Sequence, residues 1–143
     1  MESTTIFTDT HTHLYSEEFE QDRGEMIQRA INAGVSRFFI PAIDSTCTQA
    51  MYDLEQDFPE NVFLMMGLHP TYVKDSYEAE LAHVASELAK RKFYAIGEIG
   101  IDLYWDKTFL KEQIAAFQQQ INWALEYKLP VIIHVRDSYR ETM

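Results

Sequence analysis

The chain of 143 residues has the length of one ordinary domain, and its apolar fraction of 46% suffices for a core. Twelve Lys and Arg against 23 Asp and Glu leave a net charge of -11, which excludes a protein that grips phosphate backbones by bulk electrostatics but not an enzyme that cleaves them. One cysteine, Cys47, excludes a disulfide framework, and no long uncharged apolar run offers a membrane span or signal-peptide core, so the expectation is a cytoplasmic protein with no membrane partner.

In chain order, the first short apolar run is "TIFTDTH" at 5–11, a strand candidate. Phe19, Met26, Ile27, Ala30 and Ile31 then make a stripe at helical period that stops at Gly34, a helix terminator. "VSRFFIPA" at 35–42 is the second strand. A helix begins near Ser45 or Thr46, carries Ala50, Met51 and Leu54 inward, and gives way at Pro59. "VFLMMGLH" at 62–69 is the third strand, and Leu81, Val84 and Leu88 mark the next helix. "FYAIGEIG" at 93–100 is the fourth strand. A long helix after Thr108 carries Leu110, Ile114, Phe117, Ile121, Ala124 and Leu125, and "PVIIHVR" at 130–136 is the fifth strand.

The strand candidates begin near residues 6, 35, 62, 93 and 131, so the repeating unit is about 30 residues, the length of a βαβ unit. Their runs are continuous rather than alternating, the pattern of parallel strands covered by helices. No linker or low-complexity stretch interrupts the series. Residues 1–143 therefore read as one α/β domain, with the acidic residues mainly on helix faces and in loops.

Polar residues gather where the strand candidates end: His11 and His13, then Asp44, His69, Glu98, and finally His134 with Arg136. In a parallel barrel those ends share the face that holds the active site. His11 and His13 are expected to ligate a metal, because alternate residues at a strand end can converge on one ion. Asp9 either orients a ligand histidine through its second ring nitrogen or caps local backbone. Glu98 interrupts the apolar, glycine-rich "AIGEIGID" and needs compensation, from a metal or from Arg136. His134 is a ligand or a buried, hydrogen-bonded imidazole. His69, in "GLHP", contacts substrate phosphate or a metal-held water, or it fixes its loop together with Pro70. Arg136 is an anion clamp or the partner of Asp102 or Asp137. Tyr104 and Trp105 line a binding rim or pack their loop down. His83, between Leu81 and Val84, reads as a helical residue without a role in the site. Lys92 and Lys107 flank the fourth strand, but neither stands at its carboxyl end, which speaks against a carbamylated-lysine bridge and for Glu98 in that place.

Four stretches together, "FTDTHTHL" at 7–14, "GLHP" at 67–70, "GEIGID" at 97–102 and "PVIIHVRD" at 130–137, resemble the TatD-related metal-dependent deoxyribonucleases within the wider group of amidohydrolase-like barrels. The resemblance implies a (β/α)8 TIM barrel, of which this chain holds the amino-terminal five-strand portion. It implies two divalent ions, with His11, His13 and Glu98 on the first, and bridging Glu98 with His134 on the second. His69 and Arg136 would face the substrate, and Asp102 matches a loop acid of unassigned role. The implied reaction is cleavage of DNA phosphodiester bonds by a water activated between the two metals. Zn2+ suits the imidazoles, and the mixed ligands equally suit Mn2+ or Mg2+.

Two other readings stand beside a deoxyribonuclease acting on DNA or an oligodeoxynucleotide. The same centre can hydrolyse a small amide, lactone or phosphoester, since fold does not fix function. Alternatively, the chain is a catalytically silent fragment. Five strands cannot close an eight-stranded barrel, so the expectation is the first part of a longer polypeptide, with an open edge at the fifth strand and the further ligands of the family, a histidine and an aspartate, lying beyond Met143. On its own such a chain is expected to aggregate or to bind metal weakly.

Overall fold

The computed structural model describes residues 5–143. Five short strands alternate with helices: β1 (Phe7–Asp9), α1 (Arg23–Asn32), β2 (Val35–Ile40), α2 (Thr48–Asp57), β3 (Val62–Leu64), α3 (Tyr77–Lys90), β4 (Ile96–Asp102), α4 (Leu110–Tyr127), β5 (Val131–Arg136) and one helical turn, α5 (Tyr139–Thr142). β1, β2 and β3 pair in parallel, as do β4 and β5. The two sets meet where Met66 bridges in parallel to Ile96 and the Tyr94 N–H donates to the Leu64 carbonyl at 2.9 Å. Spatial order therefore follows chain order, the arrangement of consecutive βα units in a (β/α)8 barrel.

The helices cover one face of this arc. Ile27 of α1, Met51 and Leu54 of α2, Val84 and Leu88 of α3, and Ala116, Phe117 and Ala124 of α4 join Phe38, Ile40, Val62, Leu64, Ile99 and Ile101 in a single buried cluster. Strand alternation sends the intervening residues to the other face. There Phe39 stacks on its register partner Phe63 at 5.2 Å, and Tyr94 meets Phe63 edge-on at 5.0 Å. α1 stops before Gly34, whose φ of +103° is one that L side chains rarely adopt.

The strands are shorter than the apolar runs that announce them. β1 ends at Asp9, because the Asp9 side chain accepts the His11 backbone N–H at 3.1 Å and turns the chain. His11 and His13 consequently sit in the loop after β1, not on alternate positions of a strand. β3 ends at Leu64, yet Met65 to Leu68 stay fully buried as they pass along β4. β4 starts at Ile96, where its ladder with Val131 begins, and continues two residues past the expected end to Asp102. Not every acid is on a solvent face. Glu87 is buried on α3, accepting from the Tyr52 hydroxyl and from Lys90 Nζ at 2.9 Å.

The approach of β4 to β5 depends on Gly100. Its register partner is His134, its φ is +148°, and a Cβ there would lie 2.0 Å from the His134 carbonyl oxygen. Gly100→Ala is expected to separate the two strands and to destabilise the protein by about 3 kcal/mol, measurable as a lowered midpoint in urea.

Candidate metal centre

Glu98 stands on β4 with only 5% of its surface exposed, and four imidazoles surround its carboxylate. His11 Nε2 lies 3.0 Å and His13 Nε2 3.3 Å from Oε2, while His134 Nδ1 lies 3.0 Å and His69 Nε2 3.4 Å from Oε1. The donor atoms form two groups, His11–His13–Glu98 and His69–Glu98–His134, each with its atoms within 4.8 Å of one another. One carboxylate is shared by both. Burial pushes the Glu98 pKa up, but hydrogen bonds from His13 and His69 and the nearby charges outweigh it and hold the carboxyl well below the usual range.

Three of the four imidazoles are each held by a different device. The hydroxyl of Tyr15, buried two residues beyond His13, donates to the Pro41 carbonyl at 2.8 Å. Its single proton is thereby committed. The contact between that hydroxyl and His13 Nδ1, 2.9 Å, therefore has Nδ1–H as donor. His13 Nε2 is the nitrogen left facing the Glu98 carboxylate. That nitrogen either donates to the carboxylate as imidazolium or, on the neutral ring, offers its lone pair to a cation beside it.

The His134 ring lies across from Gly100, between two carboxylates: Nδ1 reaches Glu98, and Nε2 reaches Asp102 Oδ2 at 2.7 Å. Asp102 is itself buried, and burial raises its pKa, but the bonds from His134 and from the Tyr104 backbone N–H bring it below the ordinary value. A metal on Nδ1 leaves Nε2–H donating to Asp102, the arrangement that fixes ligand histidines by a second carboxylate. The resemblance left Asp102 without a role, and this is its contact.

His69 is oriented the other way. Its Nδ1 accepts the Thr71 backbone N–H at 3.2 Å, so the proton of the neutral ring sits on Nε2, the nitrogen turned toward Glu98. This tautomer makes His69 a donor at the centre instead of a ligand. Pro70 follows it as the first residue of a short 3-10 turn, so the loop-fixing contact and the position beside Glu98 both belong to His69.

Other expected pairings are absent among the described residues. Arg136 bonds neither Glu98 nor Asp102 nor Asp137; its guanidinium lies over the Tyr104 ring at 3.7 Å. The physical reason is competition, since His134 already occupies Asp102. Asp9 caps local backbone, and Asp44 does the same at Thr46. His83 pairs with Thr48 on the helical side, away from the site. Sequence reasoning missed Tyr15, whose only local signal is a tyrosine two residues after a candidate ligand. It also missed Gln113 and Gln120 of α4. Their buried amides bond the backbones of Asp102 and Leu68 at both N–H and C=O, fixing the chain beside Asp102 and His69.

A buried carboxylate shared by two imidazole groups at the rim of a parallel arc is a donor set that could hold metal ions on a (β/α) barrel. The chain belongs to the TatD related DNase family, whose pattern matches residues 8–143. It is 38% identical over 137 residues to the Bacillus subtilis "uncharacterized metal-dependent hydrolase YabD", covering 94% of this chain and 52% of that protein. It is 31% identical over 132 residues to the Erwinia tasmaniensis "3'-5' ssDNA/RNA exonuclease TatD", covering 92% and 51%. The crystal structure of YjjV, a TatD homologue from Escherichia coli, superposes with a TM-score of 0.86 at 30% identity over 95% of this chain and 53% of that one. The chain thus spans about half the length of the curated relatives it matches, and its five strands are the amino-terminal portion of the TIM barrel. No helix is long and apolar enough to cross a membrane among the described residues.

Removing the Tyr15 hydroxyl releases His13 from its tautomer. Tyr15→Phe is expected to weaken Zn2+ binding by about 10- to 100-fold in a calorimetric titration. Unchanged affinity would mean that the hydroxyl serves only the Pro41 carbonyl.

Proposed function

We propose that residues 1–143 form the amino-terminal part of one metal-dependent hydrolase barrel domain, and that its reaction is hydrolysis of phosphodiester bonds in DNA. The observation that carries this reading is the shared Glu98 carboxylate between two imidazole groups, with His13 Nε2 turned onto it. His11, His13 and Glu98 would hold one divalent ion, and Glu98 with His134 the other; Zn2+, Mn2+ and Mg2+ all suit this donor set. When bound, such ions supply a water acidified toward neutral pH and positive charge against the phosphate.

The chain's own groups account for the rest. Water adds to phosphorus, the bond to the leaving oxygen breaks, and that oxygen takes up a proton. Glu98 and Asp102 hold His134 between them, so its ring cannot rotate as charge builds. His69, with its proton on Nε2, donates toward the phosphate, and the Arg136 guanidinium clamps non-bridging oxygens. The naming of several relatives as 3'-5' ssDNA/RNA exonucleases favours a nucleic-acid substrate attacked from an end. The acidic balance of the chain agrees, since long duplex needs a basic groove.

A second reading rests on a separate observation. A cavity of about 620 Å³, lined by His13, Tyr15, Ile43, Cys47, His69 and Tyr72 among others, opens beside the centre. That volume is typical of a small-ligand site and suits a small phosphoester, amide or lactone. Release of nucleotides from a labelled single-stranded oligodeoxynucleotide on addition of Mn2+, Mg2+ or Zn2+ tests the first reading. Lactone turnover with an intact oligonucleotide would replace it by the second.

Two variants separate the roles. Glu98→Gln keeps the volume but cannot bridge two cations as an anion, so metal content is expected to fall to one ion or fewer per chain, with most activity lost. Two ions retained would defeat the bridging role. Arg136→Ala is expected to leave metal content unchanged and to lower kcat/KM for an oligonucleotide roughly ten- to hundred-fold, the loss of a charge-assisted hydrogen bond. An unaltered kcat/KM would remove Arg136 from the phosphate site.

A further inference from the structure

We infer that Tyr104, Trp105 and Arg136 form a stacking platform for a base of single-stranded nucleic acid next to the metal centre; this rests on the nucleic-acid reading above. The two rings stand in the loop after β4, edge to face at 4.8 Å, and neither is packed into the core: Tyr104 is 52% and Trp105 70% exposed. Rings that merely pinned the loop would bury their faces against it. The Arg136 guanidinium completes the group, 3.7 Å from the Tyr104 centroid and 5.3 Å from that of Trp105.

The platform is fixed relative to the reacting centre. Arg136 is two residues beyond His134 on β5 and is the register partner of Asp102, so it faces the same side as the imidazole. Asp102 bonds both components: Oδ2 to His134 Nε2 at 2.7 Å, and Oδ1 to the Tyr104 backbone N–H at 3.0 Å. Further along, Asp106 accepts the Thr108 N–H at 2.8 Å, with Lys74 Nζ 3.9 Å away. The loop is thus ordered before any ligand arrives, and little freedom remains to be lost on binding.

Exposed aromatic faces beside a cation recognise one chemistry well, the flat π-face of a nucleobase carried on a phosphate. A base inside a duplex has no free face. The platform therefore selects single strands, and it does so with little regard to sequence because every base can stack. It also supplies affinity to a chain of net charge -11, whose overall field repels a polyanion.

The test uses fluorescein-labelled tetrathymidylate and an abasic tetramer of the same length and charge, with binding read by anisotropy in EDTA so that no cleavage intervenes. The base-bearing strand is expected to bind about five- to hundred-fold more tightly. Trp105→Ala should abolish that preference and leave affinity for the abasic strand unchanged, while Trp105→Phe should retain it. Equal affinity of the unaltered protein for both strands, or full preference in Trp105→Ala, would overturn the platform. The nuclease reading is separable. Base-dependent binding without metal-dependent cleavage supports the platform and removes the nuclease, whereas cleavage with equal affinity for the two strands removes the platform and leaves the nuclease.

Discussion

A carboxylate taken out of water must be met by positive charge or by hydrogen-bond donors, and Glu98 is where this protein faces that requirement most sharply. Its side chain is 7% exposed, and the loops after β1 and β3 and the strand β5 all bring an imidazole to it. Imidazole is suited to the task because it serves either as donor or as ligand, depending on which nitrogen is engaged elsewhere. The Tyr15 hydroxyl, the Thr71 N–H and the Asp102 carboxylate make that choice for His13, His69 and His134 respectively. For these three rings the second nitrogen therefore defines the centre as much as the first.

Holding that arrangement falls to α4. Gln113 and Gln120, seven residues apart on one helix face, each use both ends of the amide on the backbone of one residue, Asp102 at the end of β4 and Leu68 in the segment after β3. A buried amide is tolerable only when both ends are satisfied, and here the partners are backbone groups that strand pairing leaves open. The helix thus ties the chain next to His69 to the chain bearing Asp102. Packing of α4 on β4 and geometry of the centre are then one property, and loosening the first disturbs the second.

Much of this was legible in the sequence. The order of strands and helices follows from apolar runs separated by stripes at helical period, and the gathering of His11, His13, His69, Glu98, His134 and Arg136 follows from their place at the ends of those runs. The strand ends were not legible, because β1 is stopped by a side-chain bond from Asp9 and β4 is extended by its ladder with β5, neither of which leaves a mark on hydropathy. Tyr15, Gln113 and Gln120 were invisible for a related reason. Their partners lie 26, 11 and 52 residues away, and a tyrosine or glutamine in an apolar stretch carries no label for a contact that only folding creates. For Arg136 the sequence offered nearby acids, whereas the fold had already committed Asp102 to His134 and left two aromatic faces open.

That substitution of rings for acids as the partners of Arg136 bears on how an acidic protein could serve a polyanion. An Arg paired with a carboxylate is neutralised and has its donors occupied, whereas an Arg whose guanidinium lies over the Tyr104 ring is not cancelled by an opposite charge. Divalent ions held on His11, His13, His134 and Glu98 would add positive charge at the same rim, inverting the field over a distance comparable to the Debye length of about 8 Å at physiological salt. The chain as a whole carries a net charge of -11. In the proposed reaction a phosphate at the rim would be attracted and those further along a long strand would not, which would favour short substrates and free ends. Selectivity of this kind requires no groove. It requires only that the positive groups be few, close together and not cancelled by neighbouring carboxylates, and the commitment of Asp102 to His134 is what leaves Arg136 uncancelled.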